Sequence, residues 1–385
     1  MTETSRKDES LRRRLIELTR DLIIIPSTRD RPEDIERCME FVINHVELPH
    51  ELTVRRFNEK GSPSTVIQPH DVSAPEVLLL AHIDVVARPE GAEYRSSVND
   101  GRIYGPGSGD MKGELAVLLE TFRDFHERLP GVSLGLAVTS DEENGGDHGT
   151  RFLFEKTGLR CGVVIIPDSG SLNEIAVEEK GILHLKLKAY GSSGHASRPW
   201  LSENPLEKLI SKLNEVRNYF ETLKNGDGHW HPTIAVTVMQ TENRVSNRIP
   251  SLAEAVCDVR FPPPYKSNEV ISQLERFMDP KMALEVLVSA EPTKVFPDPL
   301  FLAATEEITQ KPVTLIREHG GSDARFICGY GIPVIMSRPL VGNLHAENEW
   351  IDIASMETLY HIYQRYLEKK LNNGATSSSS QNNIA

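Results

Sequence analysis

The chain has 385 residues and a formal net charge of −13 at pH 7. This length exceeds one ordinary hydrophobic core, so two domains are expected. The negative charge argues against non-specific binding to nucleic acid, and no apolar run is long enough to suggest a membrane span.

The N-terminal segment and the cysteines favour a cytoplasmic protein. The first residues are charged and lack the apolar stretch of a signal peptide. The four cysteines form no Cys-x-x-Cys pair and lie in apolar surroundings, which is typical of buried, reduced thiols.

The first part of the chain alternates predicted helices with predicted buried strands. Leucines recur at helical spacing from Leu11 to Leu22, and a second helix is predicted at 31–46. Continuous apolar runs predict strands at 77–81, 132–139 and 162–166, and helices are predicted at 113–129 and 149–157. This order predicts an α/β fold, a mostly parallel mixed sheet flanked by helices.

The pattern changes near residue 176, where apolar and polar residues begin to alternate as in a half-exposed antiparallel strand. Four such strands and two helices predict an inserted α+β domain at 176–290. The first domain is then discontinuous, formed by 1–175 and 291–371. The Ser- and Asn-rich segment 372–385 predicts a disordered tail.

Acidic residues and imidazoles follow several of the predicted strands. His82-Ile83-Asp84 and Asp141-Glu142-Glu143 each follow a buried run, and Asp110 lies in a glycine-rich turn. Asp168 and His345 follow two further predicted strands. This is the ligand set of a two-metal hydrolytic centre.

Each of these residues also has a simpler interpretation. His82 and Asp84 face the same side of a strand, so the carboxylate could hold the imidazole, yet a lone His-x-Asp also suits an exposed strand end. Asp110 could bridge two cations or cap the next helix. Glu142 and Glu143 could belong to a solvated acidic loop. Two close carboxylates also favour a cation between them, so one could bind a metal while the other accepts a proton from water.

The positions of these residues decide between the interpretations. Ligands of open α/β sheets gather outside the carboxyl ends of the strands, where Asp168 is also expected. A lone loop residue such as His345 would otherwise be an ordinary surface histidine. Two metals about 3.5–4 Å apart at this edge would activate a bridging water and polarise a carbonyl group.

In their order along residues 10–370, these motifs resemble the di-zinc metallopeptidase and deacylase family. That family includes carboxypeptidase G, succinyl-diaminopimelate desuccinylase, acetylornithine deacetylase and carnosinase-type dipeptidases. The segments that carry the resemblance are 22–27, His82-x-Asp84-Val85-Val86, Gly109-Asp110-Met111-Lys112-Gly113, Asp141-Glu142-Glu143, Gly194-His195-Ala196, Asn247-x-Ile249-Pro250, Asp258-x-Arg260, 320–324 and His345-x-x-Asn348-Glu349.

The resemblance implies a zinc-exopeptidase-like catalytic domain with two Zn²⁺ ions, and an inserted dimerisation and lid domain in a homodimer. His82, Asp110 and Asp168 would bind one ion, and Asp110, Glu143 and His345 the other. Co²⁺ or Mn²⁺ could replace zinc at such ligands.

The resemblance also implies roles for residues that do not bind metal. Glu142 would be the general base, Asp84 would orient the first imidazole, and His195 of the inserted domain would stabilise the oxyanion. Arg260 is a candidate for a substrate carboxylate, through its bidentate fork, and Asn247 is a second candidate for substrate binding. The simpler alternatives are a surface arginine at a strand end and an asparagine in a turn.

Some positions depart from the family pattern. Gly-Pro-Gly at 105–107 replaces Gly-Arg-Gly, and the preceding loop lacks the usual Trp and Pro-Phe pair. These changes leave the ligands in place but alter the expected shape of the pocket. Asp168 is more typical of aminopeptidases and dipeptidases, whereas the segment 320–325 resembles desuccinylases and other deacylases.

The sequence therefore predicts a metal-dependent amidohydrolase that cleaves a small peptide or an N-acyl amino acid. A strict dipeptidase or aminopeptidase is the alternative within the same class, because of Asp168. A catalytically inactive family member that acts as a binding protein is the alternative outside it.

Overall fold

The computed structural model describes residues 3–46, 52–89, 91–226 and 228–378. Its helices are α1 (Glu3–Ile23), α2 (Pro32–His45), α3 (Gly113–Arg128), α4 (Thr150–Glu155), α5 (Pro205–Thr222), α6 (Ser267–Glu275), α7 (Pro299–Thr309) and α8 (Ile353–Ser378). Its strands are β1 (Leu52–Glu59), β2 (Ser62–Pro69), β3 (Val77–His82), β4 (Ser97–Asn99), β5 (Arg102–Tyr104), β6 (Leu134–Thr139), β7 (Val163–Ile165), β8 (Glu174–Glu179), β9 (Gly181–Tyr190), β10 (Gly194–His195), β11 (Thr233–Gln240), β12 (Arg248–Ile249), β13 (Leu252–Phe261), β14 (Met282–Ala290), β15 (Thr293–Lys294), β16 (Thr314–Glu318), β17 (Val334–Ile335), β18 (Val341–Gly342) and β19 (Trp350–Asp352).

The chain divides into two compact units. Unit 1 comprises Met1–Val177, Val295–Arg317 and Ser322–Ala385, and unit 2 comprises Glu178–Lys294 and Glu318–Gly321. The sequence placed the insertion at 176–290 and did not include the short segment 318–321. Helix α8 continues to Ser378, where the sequence predicted a disordered tail from residue 372, and residues 379–385 lie outside the described residues.

Unit 1 is built on a six-stranded sheet with the order β1-β2-β6-β3-β7-β17. Strands β6, β3, β7 and β17 run parallel to one another. Strand β2 pairs antiparallel with β6, and β1 pairs antiparallel with β2. Alternate residues of β3 enter two hydrophobic clusters, Val77 and Leu79 in one and Leu78 and Leu80 in the other. The sheet is thus buried on both faces, and the predicted α/β fold is confirmed.

The hairpin of β1 and β2 is an element that the sequence analysis did not predict. Its two strands pair along their whole length, from Leu52 opposite Pro69 to Glu59 opposite Ser62. The turn uses Lys60 and Gly61, both at positive φ (49° and 86°). Two central residues at positive φ match the twist of a tight hairpin.

Unit 2 contains a four-stranded antiparallel sheet with the order β11-β13-β9-β14. Residues of β13 alternate between buried and half-buried, and their buried side chains pack with residues of α5 and α6. Two helices on a four-stranded sheet is the predicted α+β arrangement, which is confirmed. Strands β11 and β14 form the edges of this sheet.

Among the described residues, no helix is long and apolar enough to cross a membrane.

Candidate metal centre

Three neighbouring parallel strands of unit 1 end at the same edge of the sheet. Strand β3 ends at His82, which lies opposite Thr139 at the end of β6, and β7 ends at Ile165. The segments that follow these strand ends carry most of the acidic residues singled out in the sequence. The parallel registry therefore brings residues that are far apart in sequence to one edge.

The first group of ligand atoms belongs to His82, Glu142 and Asp168, and these atoms lie within 4.8 Å of one another. His82 is buried, with 2% of its surface exposed. Its Nδ1 lies 3.0 Å from the backbone oxygen of Asp84 and 3.4 Å from that residue's carboxylate. Asp84 thus holds the imidazole on its Nδ1 side, and Nε2 remains available to the first group of ligand atoms.

The second group belongs to Asp110, Glu143 and His345, whose ligand atoms also lie within 4.8 Å of one another. Nε2 of His345 is 3.0 Å from Oδ2 of Asp110 and 3.4 Å from Oε1 of Glu143. Oδ1 of Asp110 is 3.3 Å from Nε2 of His82. One carboxylate therefore lies between the two imidazoles and links the two groups.

The Asp84 carboxylate has a contact that the sequence did not predict. It accepts hydrogen bonds from the backbone N–H groups of Glu142, at 3.2 Å, and Glu143, at 3.0 Å. These bonds fix the turn that presents the two glutamates. Asp84 thus contacts both His82 and the acidic turn, and it connects the ends of β3 and β6.

Asp110 lies in an irregular turn before α3, with non-helical φ and ψ angles and a cis peptide bond to Met111. The Glu349 carboxylate accepts hydrogen bonds from the backbone N–H groups of Gly107, at 3.0 Å, and Gly109, at 2.9 Å. A Cβ atom at Gly107 would lie 2.5 Å from Val85. Glycine is therefore required for the close approach of this turn to its neighbours.

Burial and mutual repulsion act strongly on the acidic groups. Burial raises the pKa of Glu142 well above its ordinary value, and the negative charge of Asp168 raises it further. Burial also raises the pKa of Glu143, against the effect of His345. A bound cation would favour the ionised form of such groups.

The two imidazoles respond in the opposite sense. Burial lowers the pKa of His82, but the carboxylates of Asp110 and Asp84 outweigh it and hold the pKa well above its ordinary value. The carboxylates of Asp110 and Glu143 raise the pKa of His345 to about 10. The carboxylates of the centre thus surround and outnumber its two imidazoles.

Orphaned buried atoms indicate that these residues fit a metal centre. Nε2 of His82 and Oε1 of Glu143 are buried and form no well-oriented hydrogen bond among the described residues, although each lies 3.3–3.4 Å from an oppositely charged group. Leaving such atoms unpaired is costly unless something else compensates them. Imidazole nitrogen and carboxylate oxygen suit zinc, cobalt and manganese, so the donor set fits the predicted ions.

Two arginines of unit 1 lie close to the centre and were missed from the sequence. Arg338 donates to the backbone oxygens of Asp168, at 3.2 Å, and Gly170, at 3.3 Å, and thus holds the segment that carries the first group's aspartate. Arg325 donates to the backbone oxygen of Gly145 at 3.0 Å. Only the match of segment 320–325 to the family pointed to Arg325, and nothing local pointed to Arg338.

The remaining predicted site residues belong to unit 2. His195 lies in β10 opposite Arg248 of β12, and its Nδ1 accepts a hydrogen bond from the backbone N–H of Ser197 at 3.1 Å. The backbone oxygen of Asn247 accepts a hydrogen bond from Ala196 at 2.9 Å.

The guanidinium of Arg260 is already engaged within unit 2. Its Nε and one Nη donate to the two carboxylate oxygens of Asp258, at 2.7 and 3.0 Å. Asp258 also lies 3.3 Å from His184. The bidentate fork that the sequence analysis considered for a substrate carboxylate therefore binds a carboxylate of the protein.

Comparison with known proteins gives one consistent family. The model of peptidase family M20/M25/M40 matches residues 78–369. Succinyl-diaminopimelate desuccinylases from Rickettsia felis and Alkalilimnicola ehrlichii are 28% and 27% identical, over 76% and 77% of this chain and 83% and 84% of theirs.

Solved structures agree at the level of the fold. Human carnosine dipeptidase 1 superposes with a TM-score of 0.75 at 13% identity and covers 95% of this chain and 98% of its own. A tripeptidase from Staphylococcus aureus superposes with a TM-score of 0.75 at 18% identity and covers 94% of this chain and 99% of its own. The resemblance read from the motifs is confirmed: the chain belongs to peptidase family M20/M25/M40 and is a hydrolase of amide or peptide bonds.

Proposed function

We propose that the protein hydrolyses the amide bond of a small peptide or an N-acyl amino acid, using a metal-activated water and Glu142 as general base. The observation that carries this proposal is the pair of ligand groups linked through Asp110, with Glu142 beside His82 and Asp168. An amide is a poor electrophile, so a centre that supplies both an activated water and a carbonyl-polarising charge suits this reaction.

Two Zn²⁺ ions would be held by two ligand sets that share Asp110. His82, Asp110 and Asp168 would bind one ion, and Asp110, Glu143 and His345 would bind the other. When bound, the pair supplies a nucleophilic water near neutral pH and stabilises negative charge on the carbonyl oxygen. Co²⁺ and Mn²⁺ accept the same ligands.

Glu142 would carry the proton through the reaction. It takes a proton from the attacking water and returns it to the leaving nitrogen as the C–N bond breaks, so that one group acts as base and then as acid. Its burial and its raised pKa support this role, because such a carboxylate accepts a proton more readily than an exposed one. The Asp84 carboxylate would keep Glu142 in place through the backbone N–H group of that residue.

Substrate recognition would also require side chains that are not metal ligands. We infer that His195 stabilises the oxyanion and that Asn247 and Arg260 bind substrate. The Arg260 fork would have to leave Asp258 or bind through its remaining N–H groups, since Asp258 occupies it. Arg325 is a further cationic candidate, because its positive charge acts on Glu142.

A panel of substrates tests this function. Metal-reconstituted protein should hydrolyse N-acetyl or N-succinyl amino acids, or dipeptides, and Glu142→Gln should abolish the reaction. Activity on dipeptides alone would establish the strict dipeptidase that Asp168 suggests. No hydrolysis of any member by protein with a full complement of metal would favour the inactive binding protein.

We also infer a homodimer that forms through unit 2. Strand β11 is an edge of its sheet, and Val236, Val238 and Met239 of this strand are 39–45% exposed. The strand contains no charged residue. An exposed apolar edge offers unpaired backbone groups to another chain, which supports pairing with a second copy. Among the described residues, none of the four cysteines forms a disulfide, which supports a cytoplasmic location.

A further inference from the structure

A small cavity of about 250 Å³ adjoins one side of the metal centre. Asp110, Glu143 and His345 of the second ligand group line it, together with Arg88 and Glu347. This volume lies below the range of roughly 300–1,000 Å³ for pockets that take drug-sized ligands. The cavity is therefore suited to one small group of a substrate.

Arg88 is a cation that lines this cavity and has no ion-pair partner among the described residues. Its side chain is half-buried, and it forms no hydrogen bond or ion pair with any residue in the described ranges. Glu347 also lines the cavity, but no ion pair joins it to Arg88 in the part of the chain that the structure describes. A guanidinium carries five donors in a planar fork that matches a carboxylate.

The position of the cavity indicates which part of a substrate enters it. This step rests on the proposed function, in which Glu142 protonates the leaving nitrogen. The amine side of the substrate must then lie beside Glu142, which belongs to the first ligand group. Glu142 does not line the cavity, whereas the three residues of the second group do. The cavity is thus on the acyl side of the scissile bond.

We propose that Arg88 determines substrate specificity by binding a carboxylate on the acyl group. The substrate is then an N-acyl amino acid whose acyl group is a short dicarboxylic acid such as succinyl. Two methylene groups separate the scissile carbonyl from the distal carboxylate in a succinyl group, a size that suits the small cavity. Hydrolysis adds one water and releases the free diacid and the free amine.

Kinetics with three matched substrates test this assignment. One amino acid is used as its N-succinyl, N-succinamoyl and N-acetyl derivatives, where succinamoyl replaces the distal carboxylate by an amide. If Arg88 forms a hydrogen-bonded charge pair with the distal carboxylate, the wild-type protein should prefer the succinyl over the succinamoyl derivative by about 10- to 100-fold in kcat/KM. Arg88→Met should remove this preference and change the N-acetyl rate less than threefold.

Two further variants distinguish the effect of the planar guanidinium of Arg88 from the effect of charge in the cavity. Arg88→Lys keeps the charge but loses the planar fork, so it should retain only part of the succinyl preference. Glu347→Gln changes a charge in the same cavity without removing the proposed contact, and the preference should persist. Because Arg88 has no partner among the described residues, Arg88→Met should leave the thermal unfolding midpoint unchanged.

The outcomes that would overturn the proposal are distinct. Equal hydrolysis of all three derivatives by the wild-type protein, or cleavage of dipeptides and of no N-acyl amino acid, would refute the role of Arg88. Either result would leave the proposed amide hydrolysis standing. An equal loss on all three substrates in Arg88→Met would also refute it, since a shared part of the substrate would then be affected. No hydrolysis of any amide by metal-loaded protein would refute the proposed function together with this inference.

Discussion

Nε2 of His345 lies 3.0 Å from Oδ2 of Asp110, although 235 positions separate the two residues in the sequence. The other oxygen of the same carboxylate lies 3.3 Å from Nε2 of His82. Asp110 is therefore the residue through which the two ligand groups are connected. Removing its charge is expected to affect both groups at once.

The adjacent residues Glu142 and Glu143 should behave differently when each is changed to glutamine. Glu142→Gln removes the proton carrier and should reduce kcat by about 100- to 10,000-fold, while the metal content stays unchanged. Glu143→Gln removes a ligand and should lower the metal content. Steady-state kinetics combined with elemental analysis of dialysed protein checks both. Loss of metal in Glu142→Gln with full retention in Glu143→Gln would reverse the proposed roles.

Glu349 should act as a positioning residue for the turn that carries Asp110. In Glu349→Gln, the amide oxygen can accept from Gly107 or Gly109, but the amide NH₂ must face the other N–H group. Metal affinity is expected to fall about 10- to 100-fold, as for other residues that support metal ligands. A competition titration with a zinc chelator measures this. Unchanged affinity would show that the turn holds its shape without the carboxylate.

Glu120 should contribute stability that depends on pH. Its side chain is 1% exposed and lies 2.5 Å from Arg14, 2.8 Å from Arg123 and 3.0 Å from His45. Burial raises the pKa of Glu120, but His45 and the two arginines outweigh it, so the pKa in the folded protein lies below its ordinary value.

A carboxylate of this kind stabilises the folded state above its unfolded pKa of about 4.3, and the stabilisation is lost as pH falls through the lower folded value. Glu120→Gln should therefore cost about 1–3 kcal/mol of unfolding free energy near pH 7. The difference from the wild type should shrink below about pH 4. Urea unfolding of metal-free protein at several pH values measures it, and a difference that grows on acidification would contradict this account.

Strand β11 should mediate the association of two copies. Val238→Lys adds a charge to the apolar edge strand, and a charge at such an edge opposes pairing with another strand. Light scattering during size-exclusion chromatography should give a dimer for the wild type and a monomer for the variant. Lys188→Ser, on the interior strand β9, serves as a surface control. A wild-type monomer at micromolar concentration would exclude the proposed dimer.

The parts of the fold that the sequence predicted are those with a periodic or continuous apolar pattern. Strands β3 and β6 are such runs, and the carboxylates that follow them were expected at one sheet edge. Strands β4, β5, β18 and β19 have two or three residues each, too few to show a period. The β1–β2 hairpin was missed although Lys60-Gly61 offered a turn signal.

The details of the centre depend on contacts across the chain that no local pattern shows. The hydrogen bonds that Asp84 accepts from the N–H groups of Glu142 and Glu143 join the ends of two strands, and Arg338 holds a segment 170 positions away. The Asp258–Arg260 pair is different, because residues i and i+2 share one face of a strand. That pairing could have been inferred from the spacing alone.

A zinc titration of metal-free wild-type protein and of Asp110→Asn, with the rate of amide hydrolysis measured at each addition, tests the central claim most directly. A centre whose two halves share Asp110 predicts no activity without metal, a rise that ends at two zinc ions per chain, and no comparable plateau in Asp110→Asn. Full activity in the metal-free wild type, or an Asp110→Asn variant that reaches the wild-type plateau, would contradict it.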